Sequence, residues 1–533
     1  MLKTFSLADL FDIAAKAVPE RLAIVYGEDR VTYQAMAHRI EKIAAWFQSK
    51  GIARGDTVGL QLYNSTAYME CYLAACKLGA IPFNINYRYL EDELDYLYKD
   101  SKAKIIIFSD VLLERVEKVL LKNPHVAFAV IDGQKGASAR PTLTEILALD
   151  LPLSPVQSRD EDISLLYTGG TTGMPKGVMW EHKALFYGAF AGGAMFFKDG
   201  PISTPEELGE RILKVQSGPY MAIAPLMHGA AFWASLISLL SGITLVLNEQ
   251  KEFNAQHILN LIEKENVAML NVVGDAMAAP LLDELNANPG RWKLPSLYYF
   301  GNGGAVLSQR VKDGILRHLP AGAVTGDGMG SSEAGVIGIG GKPKGGEGFM
   351  SLAPNPQLKV IIDGVREAGV GELGILAKTG AIPLGYWGDE KKTNSTFVQF
   401  AGQRYVLLGD TAKREEDGSI TILGRDSLCI NTGGEKVFVE EVEQVIRGFE
   451  GVKDVNVVGV PDERWGNKVI ALVSKKPGAT VMPEKIIESA RKQLSGYKVP
   501  KNILFADEII RGPNGKADYR WAKNLVLQML SAS

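Results

Sequence analysis

The chain has 533 residues, 46% of them hydrophobic and 22% charged, with a net charge of −3. That length exceeds what one hydrophobic core serves and calls for two or more domains of ordinary composition. The charge balance argues against a nucleic-acid partner held by bulk positive charge.

The first nine residues lack a continuous apolar core and reach Asp9 early, so no secretory signal is expected. Residues 6–155 alternate helical patterns, such as 33–40, with short apolar runs, such as 57–62 and 103–108. The alternation predicts a mainly parallel sheet with helices packed on it. Cys71, Cys76 and Cys429 form neither a metal-ligand spacing nor a disulfide framework, which fits a reduced, cytoplasmic setting.

Residues 163–167 read as a buried strand that runs into Tyr167-Thr168-Gly169-Gly170-Thr171-Thr172-Gly173-Met174-Pro175-Lys176-Gly177. Glycines let backbone N–H groups approach an anion, the threonines add hydroxyl donors and Lys176 adds charge, so the loop has the makings of a polyphosphate grip. The Walker loop, in which Gly-Lys-Ser/Thr opens a helix, is excluded because Pro175 precedes Lys176 and Gly177 follows it. Taken alone, the stretch also suits a flexible linker.

Residues 221–247 contain no Asp, Glu, Lys or Arg, a length that suggests a membrane span. Pro225, His228, Gly229 and Gly242 break it, and the expectation is strand, turn, helix and strand inside a soluble layer. A helix over 255–265 and strands over 267–273 and 296–300 continue a second α/β layer. Over 358–410 the rhythm shortens to strands and Gly turns, which predicts a small antiparallel unit. After Gly424-Arg425 a compact α+β portion follows, with a helix over 439–449 and strands over 455–460 and 469–474.

Four further clusters carry chemistry. Gly328-Met329-Gly330-Ser331-Ser332-Glu333 offers a carboxylate to a hard cation that screens phosphates. Leu408-Gly409-Asp410-Thr411 offers one to a vicinal diol. Asn431-Thr432-Gly433-Gly434-Glu435-Lys436-Val437 and Pro513-Asn514-Gly515-Lys516 are glycine turns with lysines. Singly, these also read as a helix cap, a β-turn and surface turns.

Together, and over nearly the whole length, these motifs resemble the adenylate-forming superfamily of acyl-CoA synthetases, peptide-synthetase adenylation domains and luciferases. The resemblance implies an α/β fold with a large N-terminal domain, 1–425, of two α/β layers plus a small β-barrel-like unit. A small mobile α+β C-terminal domain, 426–533, follows. It gives Thr168, Gly169, Gly170, Thr171, Thr172 and Lys176 the ATP phosphates, and Gly303, Gly304, Ala305, Asp327, Gly328 and Met329 the adenine side. Asp410 takes the ribose hydroxyls, while Arg425 and Lys436 join the nucleotide set. Glu333 holds Mg²⁺, Ser332 touches the α-phosphate, and Lys516 reaches the carboxylate and α-phosphate during adenylation. Coenzyme A falls to Ser427, Asn431, Gly433 and Gly434, with Asp426 or Ser427 as the hinge.

Gly169 stands where many family members carry Ser, and Met329 stands in an aromatic place. His228 matches a position lining the acyl tunnel, where a hydrogen-bonded core histidine is the plainer reading; it is read as a gate and not as a base. Small side chains at Gly229, Ala230, Gly301, Gly330 and Gly335, beside Met227 and Trp233, suggest a sizeable hydrophobic acid. The expected partners are that acid, ATP and coenzyme A, with no nucleic acid and no membrane span; peripheral membrane contact and a homodimer stay open. An aromatic acid, a carrier-protein acceptor and a non-catalytic nucleotide-binding regulator remain the alternatives.

Overall fold

The computed structural model describes residues 3–134, 136, 138–168, 174–195, 199–305, 307–341, 350–425, 428–432, 435–462, 466–494, 496–511 and 517–531. Two large sheets organise the first four-fifths of the chain. The first has seven strands in the order Gly385–Tyr386, Lys176–Glu181, Ile163–Thr168, Ile81–Asn84, Thr57–Gln61, Ile105–Ser109 and Phe128–Asp132. Its strands from Ile163–Thr168 onward pair in parallel. Thr57–Gln61 and Ile105–Ser109 are buried at every position, as befits parallel strands covered on both faces.

The second sheet begins with parallel strands, among them Tyr220–Ala222, Met269–Val272, Tyr299–Gly303 and Val324–Ser331. It then turns antiparallel through Gly335–Gly341, Met350–Leu352, Ile420–Arg425, Gln403–Arg414 and Leu373–Thr379. The small antiparallel β unit expected over 358–410 is present, and its strands continue this sheet by hydrogen bonding. The helices Tyr33–Ser49, Thr66–Lys77 and Gly229–Leu240 contribute to the largest core cluster. The charge-free stretch after Met221 is strand, turn, helix Gly229–Leu240 and strand Leu245–Leu247. No helix among the described residues is long and apolar enough to cross a membrane.

The last hundred residues build their own core from the helix Val439–Arg447, the antiparallel pair Val452–Asp462 and Gly466–Lys475, and Asn502–Phe505 parallel to the second of these. Glu443 is buried there at 5% exposure. It accepts hydrogen bonds from the Val457 N–H at 2.8 Å and the Tyr519 hydroxyl at 3.1 Å. Burial pushes its carboxyl up to about 8 from the ordinary 4.5. Between those values the folded state keeps a proton that the unfolded chain has released, so this group's contribution to stability falls as pH rises through the window. Melting curves from pH 5 to 8.5 should show that decline in the wild type and a flatter profile in Glu443→Gln; parallel profiles would refute the account.

Candidate active site

The Thr/Gly loop joins two paired strands. Ile163–Thr168 and Lys176–Glu181 run antiparallel, and Thr168 faces Lys176 across the last rung before the loop. Gly169, Gly170, Thr171 and Thr172 lie outside the described residues. Lys176 pairs with Asp389, whose other oxygen caps the helix Glu390–Thr396 by accepting the Lys392 N–H at 2.9 Å. The ammonium, then that N–H, hold the Asp389 carboxyl below its usual range. Asn84 braces the strand end: its amide oxygen accepts the Tyr167 N–H at 2.7 Å, and its nitrogen donates to the carbonyls of Tyr167 at 2.9 Å and Met227 at 2.7 Å. The hairpin that carries the Thr/Gly loop and the turn before His228 are thereby tied together.

Ser332 and Glu333 sit in the tight turn from Val324–Ser331 to Gly335–Gly341. The Trp180 indole N–H donates to the Ser332 carbonyl at 2.8 Å, and the Tyr386 hydroxyl donates to Glu333 Oε1 at 3.1 Å. Desolvation and the nearby Glu333 charge push the Tyr386 phenol well above its ordinary value, so it remains a donor. Behind the turn lies Lys378, 4% exposed, whose ammonium donates to the carbonyls of Ala334 at 2.6 Å, Val336 at 2.7 Å and Gly188 at 3.3 Å. Desolvation lowers it to about 8. Gly335 adopts φ +68°, and a Cβ there would fall 2.4 Å from the Gly188 carbonyl oxygen. Sheet, helix and turn therefore meet at backbone distance.

Among the described residues no three His, Cys, Asp or Glu side chains gather as a metal cluster. Glu333 alone suits a cation shared with phosphate, since Mg²⁺ usually takes one or two carboxylates and fills its shell with phosphate oxygens and water.

Around Gly303, Ala305 and Asp327, Asn302 is the organiser. Its oxygen accepts the Gly274 N–H at 2.8 Å, and its nitrogen donates to the Ala305 carbonyl at 3.0 Å and Asp327 Oδ1 at 2.9 Å. Lys312 pairs with the other Asp327 oxygen. Gly303 and Gly328 stand opposite each other in parallel register, and Gly304 takes φ +88°. Asp410 faces Arg425 across the strand pair Gln403–Arg414 and Ile420–Arg425. For Arg425, Asn431 and Lys436 only the strand positions are described, the last two opposite one another in a short hairpin. Ser427, Asp426, Gly433, Gly434 and Lys516 lie outside the described residues.

One cleft of about 3290 Å³ is lined by Thr168, Lys176, Asn302, Met329, Glu333 and Asp410, together with Glu440, Gln444 and Arg511 of the C-terminal portion. His228, half-buried, precedes the helix Gly229–Leu240 and lines the cleft with Met227, Gly229, Ala230 and Trp233. The expectation that the glycines leave open volume needs correction. A Cβ at Gly301 would lie 2.7 Å from the Tyr299 ring, one at Gly330 would lie 2.8 Å from the Gly335 carbonyl oxygen, and one at Gly229 would lie 2.9 Å from Leu166. Their smallness admits the chain's own atoms.

The family model described as AMP-binding enzyme matches residues 11–387, and that of the AMP-binding enzyme C-terminal domain matches residues 441–516. The chain belongs to the AMP-binding enzyme family. Among relatives of this AMP-binding enzyme, 3-oxocholest-4-en-26-oate–CoA ligase of Rhodococcus rhodochrous is 37% identical, covering 97% of this chain and 95% of its own. Medium-chain acyl-CoA ligase Mig of Mycobacterium avium is also 37% identical, with 97% and 98% covered. The anthranilate CoA ligase AuaEII, solved in complex with anthranoyl-AMP, superposes with a TM-score of 0.84 at 22% identity, over 98% of each chain. That last likeness speaks for the fold.

Sequence reasoning missed Asn84, Asn302, Lys378, Tyr386 and Asp389. Only Tyr386 and Asp389 carried a signal, through their place in Gly385-Tyr386-Trp387-Gly388-Asp389 next to a helix cap.

Proposed function

We propose that this AMP-binding enzyme is an acyl-CoA synthetase that activates a hydrophobic carboxylic acid with ATP and passes the acyl group to coenzyme A. The observation that carries the reading is the near full-length similarity to CoA ligases, which spans both domain models. The acid's carboxylate oxygen attacks the α-phosphorus of ATP, the bond to the β-phosphate's bridging oxygen breaks, and pyrophosphate leaves. The thiol of coenzyme A then attacks the acyl carbon, expelling AMP and releasing a proton. The first attack does not need His228 as a base, because the carboxylate nucleophile is already an anion.

The Thr168 to Lys176 hairpin fits the β- and γ-phosphates, Asp410 the ribose, and the Asn302 and Asp327 pair with Gly303 to Ala305 the adenine side. Mg²⁺ held by Glu333 would supply positive charge that neutralises the phosphates. Catalysis in the first step is chiefly positioning and charge stabilisation, and a hinge near 425 would let the C-terminal portion bring Lys516 for one step and the Asn431 hairpin for the other. The acid class we favour is a medium- or long-chain fatty acid or a steroid acid, supported by the names of the relatives and by the apolar residues along the helix Gly229–Leu240. Cys71 and Cys76, buried and outside any disulfide, fit a cytoplasmic site of action.

Pyrophosphate release and thioester formation with a panel of acids, with and without coenzyme A, test the proposal. Octanoate should exceed acetate in kcat/KM, with thioester as product. Acetate as the better substrate would refute the acid class, and acyl-AMP that coenzyme A does not discharge would refute the acceptor.

A further inference from the structure

The second sheet presents a graded surface to the helix Gly229–Leu240. Parallel register places Tyr220 beside Met269, Met269 beside Tyr299, and Tyr299 beside Val324. Two residues further along the same strands come Ala222, Asn271, Gly301 and Gly326, again side by side. Residues two apart share a face. The intervening Met221, Leu270 and Phe300 belong to the core on the opposite side, whereas Tyr220, Ala222 and Met269 pack in the cluster that contains Phe232, Trp233 and Leu236 of the helix. One row is thus bulky and the next is small.

Tyr299 does not stay in its own row. Its ring leans forward over the small one, with Cε1 2.7 Å from where a Gly301 Cβ would be and the hydroxyl oxygen 2.6 Å from where a Gly326 Cβ would be. Two adjacent glycines are what allow the ring to lie there. Tyr220, Met269, Asn271 and Tyr299 all line the cleft, opposite Trp233 and Ile237. If the ring were absent, the bare backbone at Gly326 would become floor, beside Asn271, whose Oδ1 also stands 2.7 Å from where a Gly301 Cβ would be.

Resting on the acyl-CoA synthetase reading above, we infer that Tyr299 is the specificity-determining residue that sets the depth of the acid-binding half of the cleft. The phenol ring fills the space into which the tail of a longer or bulkier acid would extend. The hydroxyl has no part in the selection; the ring's volume does.

The test is the ratio of kcat/KM for a bulky acid, hexadecanoate or a steroid side-chain acid, to that for octanoate, measured by thioester formation with the full chain. Tyr299→Ala should raise that ratio about tenfold, the discrimination that a hydrophobic pocket extracts from a small change in apolar volume. Tyr299→Phe should leave it unchanged. A ratio that stays put in a folded, active Tyr299→Ala enzyme overturns the inference, and so does a Phe variant that shifts it as far as Ala. Should Tyr299→Ala fail to fold, Tyr299→Leu is read by the same two criteria. A wild type that makes no thioester from any acid overturns the ligase reading itself, before any variant is compared.

Discussion

Lys516→Ala should lower acyl-AMP formation by about 10²- to 10³-fold while leaving the conversion of supplied acyl-AMP and coenzyme A to thioester within a few-fold of wild type. In the first half-reaction negative charge moves onto the departing pyrophosphate while a carboxylate approaches a phosphate, and one ammonium aimed at that region stabilises the transition state more than the ground state. In the second, AMP already carries its charge and the nucleophile is a thiol, so the same lysine has little to offer. The described residues on either side of it are held in place. Arg511 holds Asp454 with two hydrogen bonds of 2.7 and 2.6 Å and pairs with Ala517 as a β-bridge, and Tyr519 is fixed to Glu443. Rapid-quench assays of each half-reaction separate the outcomes, and equal loss of both would remove Lys516 from the role proposed for it.

Gly335→Ala should destabilise the protein by about 3 kcal/mol or more and lower adenylation with it. Two costs add. The backbone angle of +68° lies in the left-handed region that a Cβ disfavours, and the methyl would stand 2.4 Å from the Gly188 carbonyl oxygen. No flexible side chain can yield, because the obstacle is backbone. The same carbonyl also accepts from Lys378, so pushing it away loosens the cation that grips the turn on both sides of Gly335, immediately after Glu333. Thermal melting and pyrophosphate release check this together. A melting point within about 1 °C of wild type, with unchanged adenylation, would show that the turn tolerates what its geometry forbids.

Both α/β layers and the C-terminal α+β portion were legible in the sequence because periodicity reports burial directly. The helix read over 33–40 lies inside Tyr33–Ser49, and the apolar run at 57–62 is the buried strand Thr57–Gln61. The motif at Thr168 was legible because glycine, hydroxyl and lysine stand together locally. Lys378 was not. In a strand of alternating character a lysine reads as solvent-facing, and what keeps it inside is a set of carbonyls 42, 44 and 190 residues away in the chain. Asn84 and Asn302 were hidden for the same reason, since a single asparagine announces nothing until distant backbone groups surround it. The shortened rhythm after residue 358 showed the antiparallel unit but not its attachment, because composition cannot show that Met350–Leu352 bridges Gly335–Gly341 to Ile420–Arg425. Glycines misled differently: they mark close approach as well as open space.

Gly301, under the ring that we infer bounds the acid, and Gly303, proposed above for the adenine side, are two residues apart on the single strand Tyr299–Gly303, about 6.6 Å of chain. Flanking strands pair on both sides of it. A backbone that gave way to a wider guest would drag the adenine contacts out of line, so the scaffold acts as a fixed jig. Variety in acids has to enter through exchangeable inserts, side chains mounted on an unmoving frame, and an enzyme of this build can change its diet without relearning how to hold ATP.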